Sequence, residues 1–197
     1  MNQIVTSLNI YKSNAYVSFL DGAIKVFSLK DGSSESRDLN LSEHFFDKII
    51  VDVQFYKDIS YILTDSGIYK YHTDRVEVVK ELSDASLMCI DSSRGHMFIA
   101  SDSRGIICLN LRSERYITDI KLISNIDIGE KNYSISAMVA NNGVVFLGIL
   151  NLGVFRINYT ERNGQLRHFL IPKVESKAPQ DVLYNKKHHE LAIVDYH

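Results

Sequence analysis

The sequence predicts an all-β chain of repeated four-stranded antiparallel units, and three observations predict it. Apolar and polar residues alternate in short runs, the period of a strand rather than of a helix. A glycine-bearing turn returns at Gly22, Gly67, Gly105 and Gly153, spaced by 45, 38 and 48 residues. A second, polar turn precedes each of these, at Lys12-Ser13-Asn14, Lys57-Asp58, Ser92-Ser93-Arg94-Gly95 and Asn141-Asn142-Gly143.

The elements follow in order. Leu8-Asn9-Ile10-Tyr11 runs into the first polar turn, and Ala15-Tyr16-Val17-Ser18-Phe19-Leu20 leads out of it. Asp21-Gly22 then joins that run to Ala23-Ile24-Lys25-Val26-Phe27-Ser28-Leu29. Asp-Gly between two β-rich runs is a strong hairpin signal, because the turn needs a positive φ that glycine takes without penalty. The pair of hairpins recurs around Gly67, Gly105 and Gly153, and a more polar run such as Val76–Leu82 or Arg115–Leu122 closes each unit. The units span about residues 3–41, 48–84, 85–124 and 132–171. A half unit at 180–197 repeats only the first hairpin, with Val182-Leu183-Tyr184 turning at Asn185-Lys186-Lys187.

Four antiparallel strands in about 45 residues, with a glycine turn between the second and third, resembles a β-propeller blade. The likeness is to WD40-type and related propeller repeats, and it covers nearly the whole chain. The Gly-His and Trp-Asp dipeptides of that family are missing, and there is no Trp. Val26-Phe27-Ser28-Leu29 and Cys108-Leu109-Asn110-Leu111 stand where Trp-Asp would fall, and Gly95-His96 lies in the first hairpin turn instead. The resemblance implies a β-propeller-like array of about four and a half blades in a single domain, with the completeness of the ring left open. Three explanations compete: a piece of a longer propeller, a half blade that pairs with residues 1–8 or with another strand to close a small ring, or an open ring completed by a partner or a second copy.

Composition bounds the function. The 197 residues are 45% hydrophobic and 23% charged with a net charge of −2, ordinary globular usage. Lys and Arg are scattered, which argues against a nucleic-acid or anionic-membrane surface. No stretch approaches the roughly 18 apolar residues of a membrane span. With Met1 as the native start and no signal peptide, a cytoplasmic location is expected. Cys89 and Cys108 fall on non-neighbouring strands of one sheet, beyond disulfide reach, so buried reduced thiols are expected.

Motifs for chemistry are missing. The sequence contains no nucleophile elbow, phosphate loop, His-Glu-x-x-His or Cys-x-x-Cys. No catalytic residue, metal ligand or cofactor is therefore expected. Adjacent His188 and His189 point to opposite faces of a strand, and His44, His72, His96, His168 and His197 each stand alone. Asp21, Asp65 and Asp102 recur in register, and backbone hydrogen bonding in turns explains them better than cation binding does.

The connections between units carry the candidate site. His44, Phe45 and Phe46 in Leu41–Lys48, and Ile126, Asp127 and Ile128 in Ser124–Lys131, place apolar groups in loops of a rigid scaffold. The segment Pro172–Pro179 reads as a third long loop. The bland alternative has Ser42 capping a helical turn while the Phe side chains fold down as core. The expected function is a non-catalytic protein-interaction module or scaffold subunit, with a protein partner and self-association through an open strand edge. The rival is a propeller enzyme or small-molecule sensor with a ligand in the channel, disfavoured because the first strands are mostly apolar.

Overall fold

A computed structural model describes residues 4–30, 36–39, 41–120, 134–162, 165–174, 179–185 and 190–195. The chain is all-β, with four four-stranded antiparallel sheets in the strand order of propeller blades. They fall in two compact units, Met1–Ser86 and Leu87–His197.

The first unit holds two sheets. β1 (Val5–Tyr11), β2 (Asn14–Phe19), β3 (Ile24–Ser28) and β4 (Ser36–Asp38) form a meander. A single helical turn, α1 (Ser42–Phe45), leads to a second meander of β5 (Ile50–Tyr56), β6 (Ile59–Thr64), β7 (Gly67–His72) and β8 (Arg75–Glu81). Ile24, Leu41, Phe45, Ile50, Val53 and Ile62 make the core between them. Tyr11 stacks on Phe55 at 4.7 Å and 6°.

The second unit takes most of β9 (Ala85–Asp91), then β10 (His96–Ser101), β11 (Gly105–Asn110) and β12 (Arg115–Ile120). Its next sheet is β13 (Ile135–Asn141), β14 (Val144–Ile149), β15 (Gly153–Arg162) and β16 (Gln165–Val174). β17 (Pro179–Asn185) and β18 (Glu190–Asp195) form a two-stranded sheet. Phe98, Ile106, Cys108, Val145, Leu147 and Tyr159 share the main core, and Ala137, Phe146, Val154 and Val182 form a smaller one.

Burial explains the hydrophobic pattern strand by strand. All six residues of β10 are buried, because a second strand is flanked on both edges and covered on both faces. Outer strands such as β8 keep mostly exposed or half-buried residues.

Turn chemistry differs from the sequence expectation. Gly22 N–H donates to Phe19 O at 3.1 Å and Phe19 N–H to Ala23 O at 3.0 Å, which makes a three-residue loop ending in a left-handed glycine. The two-residue turns with paired positive φ sit instead at Lys12-Ser13, Lys57-Asp58, Thr73-Asp74 and Asn142-Gly143. A polar pair tolerates that region when the flanking strands fix it.

One boundary also moves. β16 runs through Pro172 to Val174 and β17 begins at Pro179, so both ends of the expected third loop are strand, and residues 175–178 lie outside the described residues. An outer strand has a free edge, where a residue without an N–H is tolerated.

Four first strands carry the same irregularity. The register shifts between Val5 and Ser7, Ile50 and Asp52, Ile135 and Ala137, and Pro179 and Asp181. Each β-bulge inserts one residue, so Asp52 and Asp181 occupy equivalent places in their repeats. Asp52 Oδ1 accepts from Val53 N–H at 2.8 Å, and Asp181 Oδ1 from Val182 N–H at 2.7 Å.

Candidate interaction surface

The connection from β4 to β5 is short and turns through α1. Leu41 stands at the N-cap position without a side-chain cap, and Ser42 is the first helical residue rather than the cap. The helical turn separates two adjacent phenylalanines. Phe45 is 0% exposed and meets Tyr69 edge-on at 5.2 Å. Phe46 is 86% exposed. His44 is exposed beside it.

Gly22 holds the neighbouring turn against this one. Its φ is +82°, and a Cβ there would lie 2.5 Å from Phe45 O. Asp21 Oδ1 accepts from Ala23 N–H at 3.2 Å, the turn role expected of it. Lys48 N–H donates to Phe45 O at 3.0 Å. The Lys48 ammonium bonds Asp47 at 3.1 Å, which holds the Asp47 carboxyl below its usual range.

Gly67, Gly105 and Gly153 occupy the matching turns, each with positive φ. Ile126, Asp127 and Ile128 lie outside the described residues, as do His188, His189 and His197. Among the described residues, no group of three His, Cys, Asp or Glu could hold a metal ion. No helix among them is long and apolar enough to cross a membrane.

Two polar networks were not foreseen. In the first unit, Asp52 accepts from Asn9 Nδ2 at 2.9 Å and from Gln54 Nε2 at 3.0 Å. Burial raises the Asp52 pKa, and the bonds from Gln54, Val53 and Asn9 offset only part of that. β1 and β5 are mostly apolar as expected, and the polar residues they do carry meet in this network.

In the second unit, Asp91 is fully buried at the end of β9. It accepts from Ser93 N–H and Oγ, from Gly143 N–H at 2.7 Å and from the Tyr159 hydroxyl at 2.6 Å. Arg94 lies over the Tyr159 ring at 5.3 Å and donates to Tyr159 O at 3.0 Å. His96, rather than lying in a turn, begins β10, where it bonds Glu161 at 2.6 Å. Asn110 donates to the same Glu161 oxygen at 3.1 Å. These groups tie the third sheet to the fourth. The one signal for them in the sequence is Asp91 leading a polar turn.

No family model matches the chain, and no curated protein matches it. Solved structures do. The extracellular domain of the putative one-component system BT4673 from B. thetaiotaomicron aligns at TM-score 0.64 and 16% identity, over 97% of this chain and 25% of that one. BamB from Moraxella catarrhalis aligns at 0.59 and 14%, over 95% and 54%. The N-terminal domain of Nup159 aligns at 0.54 and 14%, over 90% and 49%. The fold is that of β-propeller blades. The chain spans about half the length of the Nup159 and BamB chains and a quarter of the BT4673 domain. At these identities the likeness extends to the fold alone.

Proposed function

We propose that this chain is a non-catalytic protein-interaction module that binds its partner through the loop rim of the first unit. Phe46 carries the reading. A large aromatic ring left 86% exposed, on a helical turn anchored by its fully buried neighbour, is the form an interface hot spot takes. Loops on a β scaffold are where recognition commonly sits, and propeller folds host many functions through such loops. The reading places the protein in the cytoplasm, a reducing compartment suited to two buried cysteines outside any disulfide.

The test separates the two phenylalanines. Phe46→Ala is expected to shift stability by no more than about 0.5 kcal/mol and to abolish photocrosslinking of a partner from a probe at position 49. Phe45→Ala is expected to cost about 3–5 kcal/mol. If Phe46→Ala destabilises as much as Phe45→Ala, or leaves the crosslinked product unchanged, the reading fails.

A second reading, a small-molecule sensor or propeller enzyme, draws on Asn9, Asp52 and Gln54 of the first strands. These groups bond one another, so a ligand would have to displace them. A thermal shift from a metabolite panel that Asp52→Ala abolishes would favour that reading.

A further inference from the structure

Among the described residues, the first unit segregates charge between its two rims. One rim is built of residues 4–5, 20–23, 41–49 and 64–67. It carries four carboxylates, Asp21, Glu43, Asp47 and Asp65, all exposed. Lys48 within it is engaged by Asp47, and Lys80 and Glu81 adjoin the Gly67 turn from the neighbouring strand. The opposite rim holds the turns at 12–13, 29–30, 57–58 and 73–75. Among the described residues it carries Lys12, Lys30, Lys57 and Arg75. The two carboxylates among its described residues are engaged, Asp58 by Lys12 and Tyr11 and Asp74 by the Tyr71 hydroxyl.

The acidic rim is also apolar. Phe46 (86% exposed), Ile4 (62%), Ile49 (43%) and Leu20 (42%) all lie on it. Backbone bonds make these positions neighbours. Leu20 N–H donates to Ile4 O at 2.9 Å, and Asp65 N–H to Ile49 O at 3.1 Å. The Gly22 turn sits directly on the Phe45 and Lys48 carbonyls. Apolar surface ringed by one sign of charge selects its partner twice, by an apolar anchor and by the opposite charge.

We propose that this rim binds a peptide segment of another protein that carries a large apolar side chain flanked by Lys or Arg. The inference rests on the interaction-module reading above and names the chemistry of its partner. The same carboxylates disfavour the other occupants of an apolar patch, because anionic lipid and nucleic acid would both be repelled. Lys12 and Lys57 on the opposite rim provide the control.

The experiment uses the full chain and fluorescent peptides of equal length. The first has a Leu-Phe centre with Lys flanks, the second the same centre with Glu flanks, and the third Lys flanks around a Ser centre. The first is expected to bind at least tenfold more tightly than the other two and to weaken as salt rises. Phe46→Ser is expected to reduce its binding at least tenfold. The double change Glu43→Lys with Asp65→Lys is expected to transfer preference to the Glu-flanked peptide. Lys12→Glu and Lys57→Glu on the opposite rim are expected to change nothing. If the Glu-flanked peptide binds best and depends on Phe46, the basic-partner inference is overturned while the interaction surface stands. If no peptide binds, or binding ignores Phe46, the inference is overturned, and the crosslinking experiment decides the broader reading alone. Vesicles of anionic phospholipid that bind the chain through Phe46 would overturn it in favour of a lipid surface.

Discussion

The hydroxyl of Tyr159 donates to the Asp91 carboxylate at 2.6 Å, joining the first turn of the third sheet to the third strand of the fourth. Burial alone would raise the Asp91 pKa. The bonds from Gly143, Ser93 and Tyr159 outweigh it and hold the group below its ordinary value of 3.8. Burial, with that same carboxylate, pushes the Tyr159 hydroxyl far up, so it remains a donor. Tyr159→Phe is expected to cost about 1.5–3 kcal/mol, the worth of a bond to a charged acceptor. Asp91→Ala strands several buried donors and is expected to cost more, about 3–5 kcal/mol. Because the folded pKa is depressed, Asp91 contributes its stability above pH 3.8, and that is lost as pH falls through the folded value. Denaturant melts across the acid range check both changes, and an Asp91→Asn chain that retains the wild-type acid slope would sink the assignment.

Asp52 titrates with the opposite sign. Its pKa is raised, mainly by burial, so the folded state gives up its proton at a higher pH than the unfolded chain does. Its contribution is fully present below 3.8 and is lost as pH rises through the folded value. Asp52→Asn removes the ionisation and keeps a polar group beside Asn9 and Gln54. The midpoint of chemical unfolding is expected to fall less with rising pH above 3.8 in the variant than in the wild type. A steeper decline in the variant would contradict the burial argument.

The strand count and turn positions were legible in the sequence because both are local. Alternation fixes which residues a strand buries, and turn residues answer to φ within a few positions. The reach of the Asp91 network was not legible, because Gly143 and Tyr159 stand 52 and 68 residues away and no local rule connects them. Phe45 and Phe46 show the intermediate case. The sequence marked the pair, but only the helical turn decides which ring is covered. A two-strand pattern does not foresee Pro172 in β16 either, since its tolerance depends on lying in an outer strand.

Gly22 is expected to resist any side chain. Its φ of +82° lies where an L-residue is penalised, and a Cβ there would meet the Phe45 carbonyl oxygen, which is backbone and cannot swing aside. Gly22→Ala is therefore expected to cost about 2–3 kcal/mol and to loosen the α1 turn. Amide hydrogen exchange at Lys48, whose N–H bonds that same carbonyl at 3.0 Å, should accelerate in the variant. Unchanged protection there would mean the two turns are not coupled through Gly22.

Cys89 and Cys108 are both buried and neither is in a disulfide, on β9 and β11 with β10 between them. Burial pushes the Cys108 thiol well above its ordinary value, and a thiol rather than a thiolate is a poor nucleophile. Native protein at neutral pH is expected to react with a disulfide reagent only as fast as it opens, and both thiols should label promptly in denaturant. Strand spacing of about 4.8 Å places two strands apart beyond disulfide geometry, so mild oxidation is expected to produce no internal bridge. Tyr159→Phe and Asp91→Ala provide the internal check. Both loosen the packing of the third sheet on the fourth, where Cys108 and Tyr159 share one core, so labelling should quicken in the order of their destabilisation. Labelling at the same rate in all three chains would show that the thiols are reached by a local path and not by opening of that core.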